Sequence, residues 1–451
     1  MTVDQTSSPV HLSNSLLAEV ARHTTIDINN NVASIALQYN LAHRRMLELA
    51  STSSTSTPAA QQQVQTDIRP LFSDMTSNQI IVSSTYVGLL ASDPSKAQKL
   101  LQVSLSSAKQ LQSGMWNGEQ LDSAMLERLS LNSSLSGSES AEEKQQHLAS
   151  DILTVLFGLE TLPNLLNHGN LHAQTAASQA YNPQAAVKHA RRFVALYQLF
   201  SSTTVDTSRI CIKIPSTIPG LQAMRYLSSG GHLDESHLGG PLSEGKIQVL
   251  ATTIFTVEQG LVAAQASRAI YTAPYINALA AHFFAVDNPS EDERKKALEA
   301  GARSVKEIII PLQRCLLRLR KDDARIKTQV MAASFLSIEE VIQLCGLDHQ
   351  TLGAPIVEGL ANTELTAAHK RKAEEARGEF GVASDAELEE FGASVAAKKA
   401  EEVGYGGWLK EGSESYRRLA KVLSEDERCK YMLDDALDRF SKAEVNLRQL
   451  F

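Results

Sequence analysis

The sequence predicts an α/β protein built as a (β/α)8 TIM barrel with surface insertions and a C-terminal helical extension. Three observations support this prediction. Eight short runs rich in apolar and β-branched residues alternate with long amphipathic stretches, which is the pattern of a parallel sheet with crossover helices. The chain has 451 residues, enough for a barrel that carries insertions. Its 43% hydrophobic and 21% charged residues are typical of a folded globular protein.

The candidate strands are short, and the intervals between them leave room for helices. Helical patterns occur between several of them, at 185–200, 218–229, 256–268 and 338–346. A strand followed by a helix, repeated eight times, is the order of elements in a barrel. The candidate strands span residues 24–28, 78–83, 170–175, 209–214, 247–252, 269–273, 326–333 and 351–356.

Changes in composition divide the chain into three parts. Residues 1–22 are expected to form an N-terminal helical or flexible segment, and residues 23–360 are expected to form the barrel. Residues 361–451 are charged and amphipathic, which indicates a C-terminal helical extension packed outside the barrel or against a partner subunit. Low-complexity or glycine-rich stretches within the barrel indicate insertions. They lie near 51–66, 131–147 and 228–245.

The charge and hydropathy of the chain exclude several classes of function. Lys plus Arg number 43 against 51 Asp plus Glu, a net charge of −8, which argues against a general binder of nucleic-acid backbones. No apolar run approaches the roughly 18 residues of a membrane span, and the first residues lack the basic-then-apolar pattern of a secretory signal. We therefore expect a cytoplasmic protein that binds neither nucleic acid nor membrane.

The common catalytic motifs are missing from the sequence. Cys211, Cys315, Cys345 and Cys429 are far apart and show no Cys/His spacing suited to zinc. There is no GxGxxG after a strand, no P-loop, no HExxH and no GxSxG. The chemistry must therefore come from less conspicuous residues.

Lys213 occupies an unusual position in the run RICIKIPST, residues 209–217. Period-two alternation places the three isoleucines on one face of a strand and Cys211 and Lys213 on the other. In a barrel the isoleucines would face the helices, and Lys213 would face the interior near the C-terminal end of its strand, where barrel enzymes keep catalytic groups. A desolvated amine has a lowered pKa and can attack a carbonyl to form a Schiff base. An interior lysine paired with a carboxylate is the ordinary alternative, and this strand alone does not decide between them.

Polar residues occur at or near the ends of most of the other candidate strands. Taken singly, each has an ordinary explanation: Asn78 as a turn or cap residue, Thr252 as a β-branched strand residue, and Tyr275 as a core aromatic. Six such residues around one interior lysine indicate a site for a polyhydroxylated ligand. The six are Asp27, Asn78, Gln174, Thr252, Tyr275 and Ser334.

With these residues the sequence resembles the transaldolase family, including its shorter relatives, the fructose-6-phosphate aldolases. The run IKIPST with Lys213 is similar to the family's Schiff-base lysine motif, and DMTSN with Asn78 is similar to its TTNP-type motif. Asp27 stands where the family has a first-strand aspartate. The resemblance extends over about residues 24–360, with a weaker match in the terminal helix. It implies an α/β barrel whose lysine lies on the fourth strand.

Departures from ordinary transaldolases resemble the aldolase branch of the family. The run HAQTAAS has Gln174 where ordinary members have a glutamate, and the run APY, from Ala273 to Tyr275, stands where they have SPF. The run LATTIF and the QGL that follows it are also similar to the aldolase version. The resemblance implies that Tyr275, rather than Asp27 alone, handles the proton at the reacting hydroxyl. Gln174 and Thr252 would position a water between them.

Two other departures concern phosphate recognition. Ala278 replaces the family's arginine shortly after the PF or PY motif, and Leu336 replaces the cation that follows its ASF motif. Phosphate recognition normally needs a fixed cation or a helix N-terminus. The substrate therefore either carries no phosphate, which we favour, or is held by a cation from an insertion such as Lys246 or His237.

The resemblance implies a Schiff-base enzyme that makes, breaks or transfers a C–C bond through a dihydroxyacetone-type enamine on Lys213, without a metal or organic cofactor. Its partners would be a ketose donor and an aldehyde acceptor, and a homo-oligomer, most simply a dimer, is the expected assembly. The alternatives are a conventional transaldolase of the pentose phosphate pathway and a non-catalytic barrel used as a binding protein. The expected catalytic residues are Lys213, Asp27, Tyr275, Gln174 and Thr252, and the expected substrate-binding positions are Asn78, Ser334, Ala273, Ala278 and Leu336.

Overall fold

Eight parallel strands close into a barrel in the computed structural model, which describes residues 12–53, 70–130, 139–201, 205–233, 238–393 and 407–451. Each strand pairs with the next along the chain, and the eighth pairs with the first. The predicted (β/α)8 barrel is therefore confirmed. The strands are β1 (Thr25–Ile28), β2 (Phe72–Met75), β3 (Leu171–Gln174), β4 (Ile210–Pro215), β5 (Gln248–Ile254), β6 (Tyr271–Pro274), β7 (Gln329–Ala332) and β8 (His349–Leu352).

Helices surround the barrel. The predicted helices at 185–200, 218–229, 256–268 and 338–346 are confirmed to within a few residues. The helices are α1 (Leu16–His23), α2 (Ala33–Ser53), α3 (Gln79–Ser92), α4 (Pro94–Gln112), α5 (Ser123–Leu129), α6 (Ala141–Thr161), α7 (Pro183–Phe200), α8 (Ile218–Ser229), α9 (Val257–Gln265), α10 (Phe284–Asp287), α11 (Glu291–Ala302), α12 (Ile310–Asp322), α13 (Ile338–Gln343), α14 (Ala354–Asn362), α15 (Ala367–Gly378), α16 (Asp385–Glu390), α17 (Glu414–Glu425) and α18 (Glu427–Arg448).

Two strand predictions were inaccurate. The run 78–83 is the start of α3 rather than a strand, because the Asn78 side chain accepts a hydrogen bond from the Ile81 N–H at 3.0 Å and caps the helix. The second strand lies just before it, at Phe72–Met75. The eighth strand ends at Leu352 rather than continuing to 356, because Pro355 stands in the first turn of α14, where proline favours a helix start.

The alternation of side chains along β4 agrees with the sequence pattern. Ile210, Ile212 and Ile214 belong to the apolar core between the strands and the helices. Cys211 points the other way and packs inside the barrel, in a cluster that includes Leu250. The interior of the barrel is therefore on the side of β4 that carries Lys213.

The expected insertions are only partly described. Residues 54–69, 131–138 and 234–237 lie outside the described residues. The described end of the second stretch leads into α6, which begins with a capping box between Ser140 and Glu143. The domain boundaries at 22 and 360 stay a prediction.

The C-terminal extension contains the helices α15 to α18. The last of them, α18, crosses the barrel at the C-terminal ends of its strands. It packs on α3 and on two short 3₁₀ helices that follow β3 and β6, Ala177–Gln179 and Leu279–Phe283. Among the described residues, no helix has the length and apolarity needed to cross a membrane.

Candidate active site

Lys213 is buried inside the barrel, with 4% of its surface exposed. It pairs with Gln174 on β3 and with Leu250 on β5, and one more residue of β4 follows it before Pro215 ends the strand. Within the described residues, no carboxylate lies within 4.0 Å of the Lys213 amine and no hydrogen-bond partner satisfies it. Burial lowers the pKa of this amine to about 8. The structure therefore does not support the alternative that Lys213 is an interior lysine paired with a carboxylate.

Thr252 and Tyr275 form a hydroxyl pair at the same end of the barrel. Thr252 Oγ1 and Tyr275 Oη are 3.0 Å apart, and both residues are buried. Thr252 pairs with Pro215, two residues beyond Lys213 on β4. The structure thus brings together two residues from separate strands that the sequence placed in the site.

Strand β5 is irregular next to Thr252. The pairing of β5 with β6 shifts register between Ala251 and Ile254, and Thr253 between them has a φ of +58°. A β-branched residue rarely adopts a positive φ, and such strain is found where a side chain must be aimed at a site. The Thr253 hydroxyl accepts from the Ser216 N–H at 3.2 Å, which ties this bulge to the end of β4.

Tyr275 is a proton donor rather than a base at neutral pH. It follows β6 and packs edge-on against Phe255, with ring centroids 5.7 Å apart. Burial raises the pKa of its phenol to about 12, although the hydrogen bond with Thr252 acts in the opposite direction. The phenol therefore keeps its proton and can pass it to an adjacent oxygen.

Gln174 ends β3 beside Lys213 and is held by a residue that the sequence analysis missed. Gln174 Nε2 donates to Gln79 Oε1 at 3.0 Å, and Gln79 Nε2 donates back to the Gln174 carbonyl at 2.9 Å. Gln174 Oε1 is buried and has no hydrogen-bond partner among the described residues. A buried acceptor without a protein partner usually binds an ordered water or a ligand group. Gln79 could have been considered from its position directly after Asn78.

Asn78 and Ser334 both lie at C-terminal strand ends, and both have local structural contacts. Asn78 is half-buried, and its carbonyl oxygen caps α3. Ser334 has a φ of +68°, and its hydroxyl donates to the Asn277 carbonyl at 2.8 Å. Nε2 of His282 also lies 2.8 Å from the Ser334 hydroxyl. His282 is thus a second residue that the sequence analysis did not identify.

The positions expected to lack cations are apolar in the structure. Ala278 is fully buried beside Tyr275 in an apolar cluster, and Leu336 is 37% exposed. Ala273 is buried inside the barrel. Lys246 lies two residues before β5 and so lies at the N-terminal end of the barrel, opposite the Lys213 end. This position does not support the alternative in which Lys246 supplies a phosphate cation, and His237 lies outside the described residues.

The hydrogen-bond partners of Asp27 are on β2 and β8 and do not include Tyr275 or Thr252. One of its carboxylate oxygens accepts from the Asp74 N–H at 3.0 Å, and the other lies 2.9 Å from Nδ1 of His349. Burial raises the pKa of Asp27, and the facing His349 counteracts this. Both oxygens are thus engaged with β2 and β8, in a buried layer of the barrel.

Asn29 directly follows β1 and lies closer than Asp27 to the C-terminal end of the barrel, where Lys213 lies. It lies two residues beyond Asp27 and accepts a hydrogen bond from the Thr76 hydroxyl at 2.9 Å. Residues two apart on a strand share a face, so the identity of the group at the mouth depends on where β1 ends. The sequence placed this end correctly, since the predicted strand 24–28 and β1 both end at Ile28, but it did not identify Asn29.

The chain is similar to known proteins over most of this barrel. Residues 68–403 match the family model described as Transaldolase/Fructose-6-phosphate aldolase. The chain belongs to this transaldolase/aldolase family. The match includes Lys213, Gln174, Thr252 and Tyr275, whereas β1 and Asp27 precede it.

Individual members of the transaldolase/aldolase family are distant relatives. The transaldolase of Aeromonas salmonicida is 28% identical over 232 residues, which cover 50% of this chain and 62% of that protein. The transaldolase of Shewanella baltica is 30% identical over 229 residues, covering 51% and 62%. A protein of Dictyostelium discoideum named as a probable transaldolase is 26% identical over 232 residues, covering 51% and 62%. The chain thus spans a little over 60% of the length of these relatives.

Proposed function

We propose that this member of the transaldolase/aldolase family is a Schiff-base enzyme that makes, breaks or transfers a C–C bond through an enamine on Lys213. The observation that carries the proposal is an unpaired, buried amine with a pKa of about 8, located at the barrel end that also holds the Thr252–Tyr275 hydroxyl pair. The relatives named transaldolases support the same class of reaction.

The proposed reaction begins with attack of the neutral Lys213 amine on the carbonyl carbon of a ketose. Loss of water gives a protonated imine, which accepts the electron pair released when the adjacent C–C bond breaks. That cleavage requires the hydroxyl on the departing carbon to lose its proton, so that the departing fragment leaves as an aldehyde. The remaining enamine adds to an acceptor aldehyde, or takes up a proton and is hydrolysed from the lysine.

In this proposal a bound water carries that proton to solvent during cleavage, and the protonated Tyr275 phenol donates a proton through the same water to the oxygen of the acceptor aldehyde when the enamine adds to it. Thr252 orients the phenol, and the unpartnered Gln174 Oε1 supplies an acceptor for that water. Asn78, after β2, and Ser334, after β7, hold hydroxyls of the donor. Asp27, held by His349 on β8, supports the first strand in this proposal, which departs from the role expected from the sequence.

The pH dependence of the first step follows from the state of Lys213. Only the neutral amine attacks a ketone, and burial lowers its pKa to about 8. We expect kcat/KM for the donor to rise about tenfold per pH unit below this pKa and to level off above it. The measurement is kcat/KM for dihydroxyacetone with an acceptor aldehyde from pH 6 to 10. A continued rise beyond pH 9 would indicate an ordinary exposed lysine and contradict the proposal.

In this proposal the binding site lacks the usual cations for a phosphate, so the donor is a sugar that needs no phosphate for binding. Two apolar residues, Ala278 and Leu336, occupy the positions where the resemblance places cations, and Ala278 is fully buried in an apolar cluster. A charge-assisted contact to phosphate is roughly twice as strong as a neutral hydrogen bond, so its loss removes most of the preference for phosphorylated sugars.

We expect wild type to use fructose and fructose 6-phosphate with kcat/KM values within about tenfold of each other, a difference of roughly 1.4 kcal/mol. Leu336→Arg, at the more exposed of the two positions, should improve the phosphorylated sugar selectively, and Leu336→Gln is the uncharged control. A wild-type preference of about a hundredfold for fructose 6-phosphate would instead support a conventional transaldolase with relocated phosphate contacts.

A further inference from the structure

Helix α18 contacts the three barrel loops that follow Gln174, Thr252 and Tyr275. Arg428 donates to the Phe255 carbonyl, after β5, at 3.2 Å. The Asp435 carboxylate accepts from the Ala280 N–H, after β6, at 2.8 Å. The third contact, with the loop after β3, is made by Glu444 and differs from the others because its carboxylate is buried.

Glu444 has only 6% of its surface exposed, yet it is a carboxylate. One of its oxygens accepts from the backbone N–H groups of Ala177 and Ser178, the latter at 3.4 Å. The other accepts from the Ser178 hydroxyl at 2.7 Å. Burial raises the pKa of this carboxyl, and the hydrogen bonds from Ser178 and Ala177 act against that rise. A buried carboxylate is costly unless it is well hydrogen-bonded, so Glu444 holds this loop tightly.

The loop that Glu444 holds is continuous with Gln174. The Thr175 N–H donates to the Lys213 carbonyl at 2.9 Å, and the Ala176 N–H donates to Nδ1 of His189 at 3.0 Å. Gln79 holds the carbonyl of Gln174 itself. From Gln174 to Ser178, every residue is therefore fixed by a partner, and Glu444 holds the last two of these residues with three hydrogen bonds.

We infer that Glu444 is a positioning residue for the proposed proton transfer: it fixes the loop after β3 and thereby sets Gln174 toward the water shared with Thr252 and Tyr275. This inference rests on the proposed function. Glu444 does not touch the reacting atoms, so it acts on turnover through Gln174 and leaves imine formation on Lys213 unaffected.

The experiment compares variants in steady-state turnover and in borohydride trapping of dihydroxyacetone on Lys213. We expect Glu444→Ala to lower kcat about tenfold with little change in KM, as for a misplaced catalytic group. Trapping should remain at the wild-type level. Glu444→Gln keeps an acceptor for the two N–H groups and should restore kcat to within about twofold of wild type. Lys442→Ala, an exposed position on the same helix, is the matched control.

A double-mutant cycle separates positioning from general structural support. In a Gln174→Ala background, Glu444→Ala should lower kcat little further, because Glu444 acts on turnover only through Gln174. Equal fold losses in both backgrounds, or unchanged kcat in Glu444→Ala, would overturn the inference while leaving the proposed function standing. Should Glu444→Ala not fold, Ser178→Ala, which removes one of the three hydrogen bonds, must lower kcat in the same direction. Absence of the imine in wild type would overturn the proposed function and this inference with it.

Discussion

Replacing Lys213 by methionine is expected to abolish turnover and to make the protein more stable at neutral pH. Turnover is lost because methionine has no amine to form the imine, and we expect a fall of at least about 10³-fold, the scale seen when a covalent nucleophile is removed. Stability rises because methionine fills the same space without a buried charge.

The size of the stabilisation follows from the pKa of Lys213. Its pKa falls from 10.5 to about 8 on burial, so the folded state binds this proton less tightly than the unfolded state. Below about pH 8 both states are protonated and the full penalty applies, roughly 3 kcal/mol at 1.36 kcal/mol per pKa unit. Between about pH 8 and 10.5 the folded state loses its proton first, so the penalty declines toward zero.

Denaturant unfolding of wild type and Lys213→Met at pH 7 and pH 10 measures this effect. We expect the variant to be more stable at pH 7 and the advantage to shrink at pH 10. Lys442→Met, on the exposed side of α18, should change neither turnover nor stability. A Lys213→Met protein that is less stable at pH 7, or still active, would contradict the assignment.

Removing the phenol hydroxyl of Tyr275 is expected to cause the second large loss of turnover. Tyr275→Phe should lower kcat by about 10² or more, the usual contribution of a positioned acid or base. The fold should be retained because the ring keeps its contact with Phe255. Imine trapping on Lys213 should also remain, since the amine does not depend on the phenol.

Tyr197 offers a matched control for the Tyr275 variant. It is another fully buried tyrosine, and its hydroxyl has no hydrogen-bond partner among the described residues. Tyr197→Phe should leave kcat unchanged and cost no stability. A Tyr275→Phe protein with wild-type kcat would make Tyr275 a packing residue and return the proton to another group.

The barrel could be predicted because its strongest signals are local. The Ile-Cys-Ile-Lys-Ile alternation of β4 reports both the strand and its inward face, and the structure has both. The second strand was misplaced because 78–83 is apolar and β-branched, whereas the capping bond from Asn78 to the Ile81 N–H favours the helix. Short apolar runs do not distinguish a strand from a buried helix by periodicity.

Only the part of the candidate site that lies at the ends of the strands could be predicted from the sequence. Thr252 and Tyr275 come together because the C-terminal ends of barrel strands share one face. Gln79, His282 and Glu444 were missed because their contacts join distant parts of the chain, and no local pattern marks them. The position of Asp27 beside His349 depends on the stagger between β1 and β8, which sequence alone does not give.

The central claim is that Lys213 carries the imine, and borohydride reduction tests it most directly. The full-length protein is incubated with dihydroxyacetone and borohydride, then digested with trypsin. Reduction onto Lys213 blocks cleavage there, so the account expects the added mass on the uncut peptide spanning residues 210–225, and no adduct in Lys213→Met. An adduct on any other lysine, or one that persists in Lys213→Met, would contradict the account.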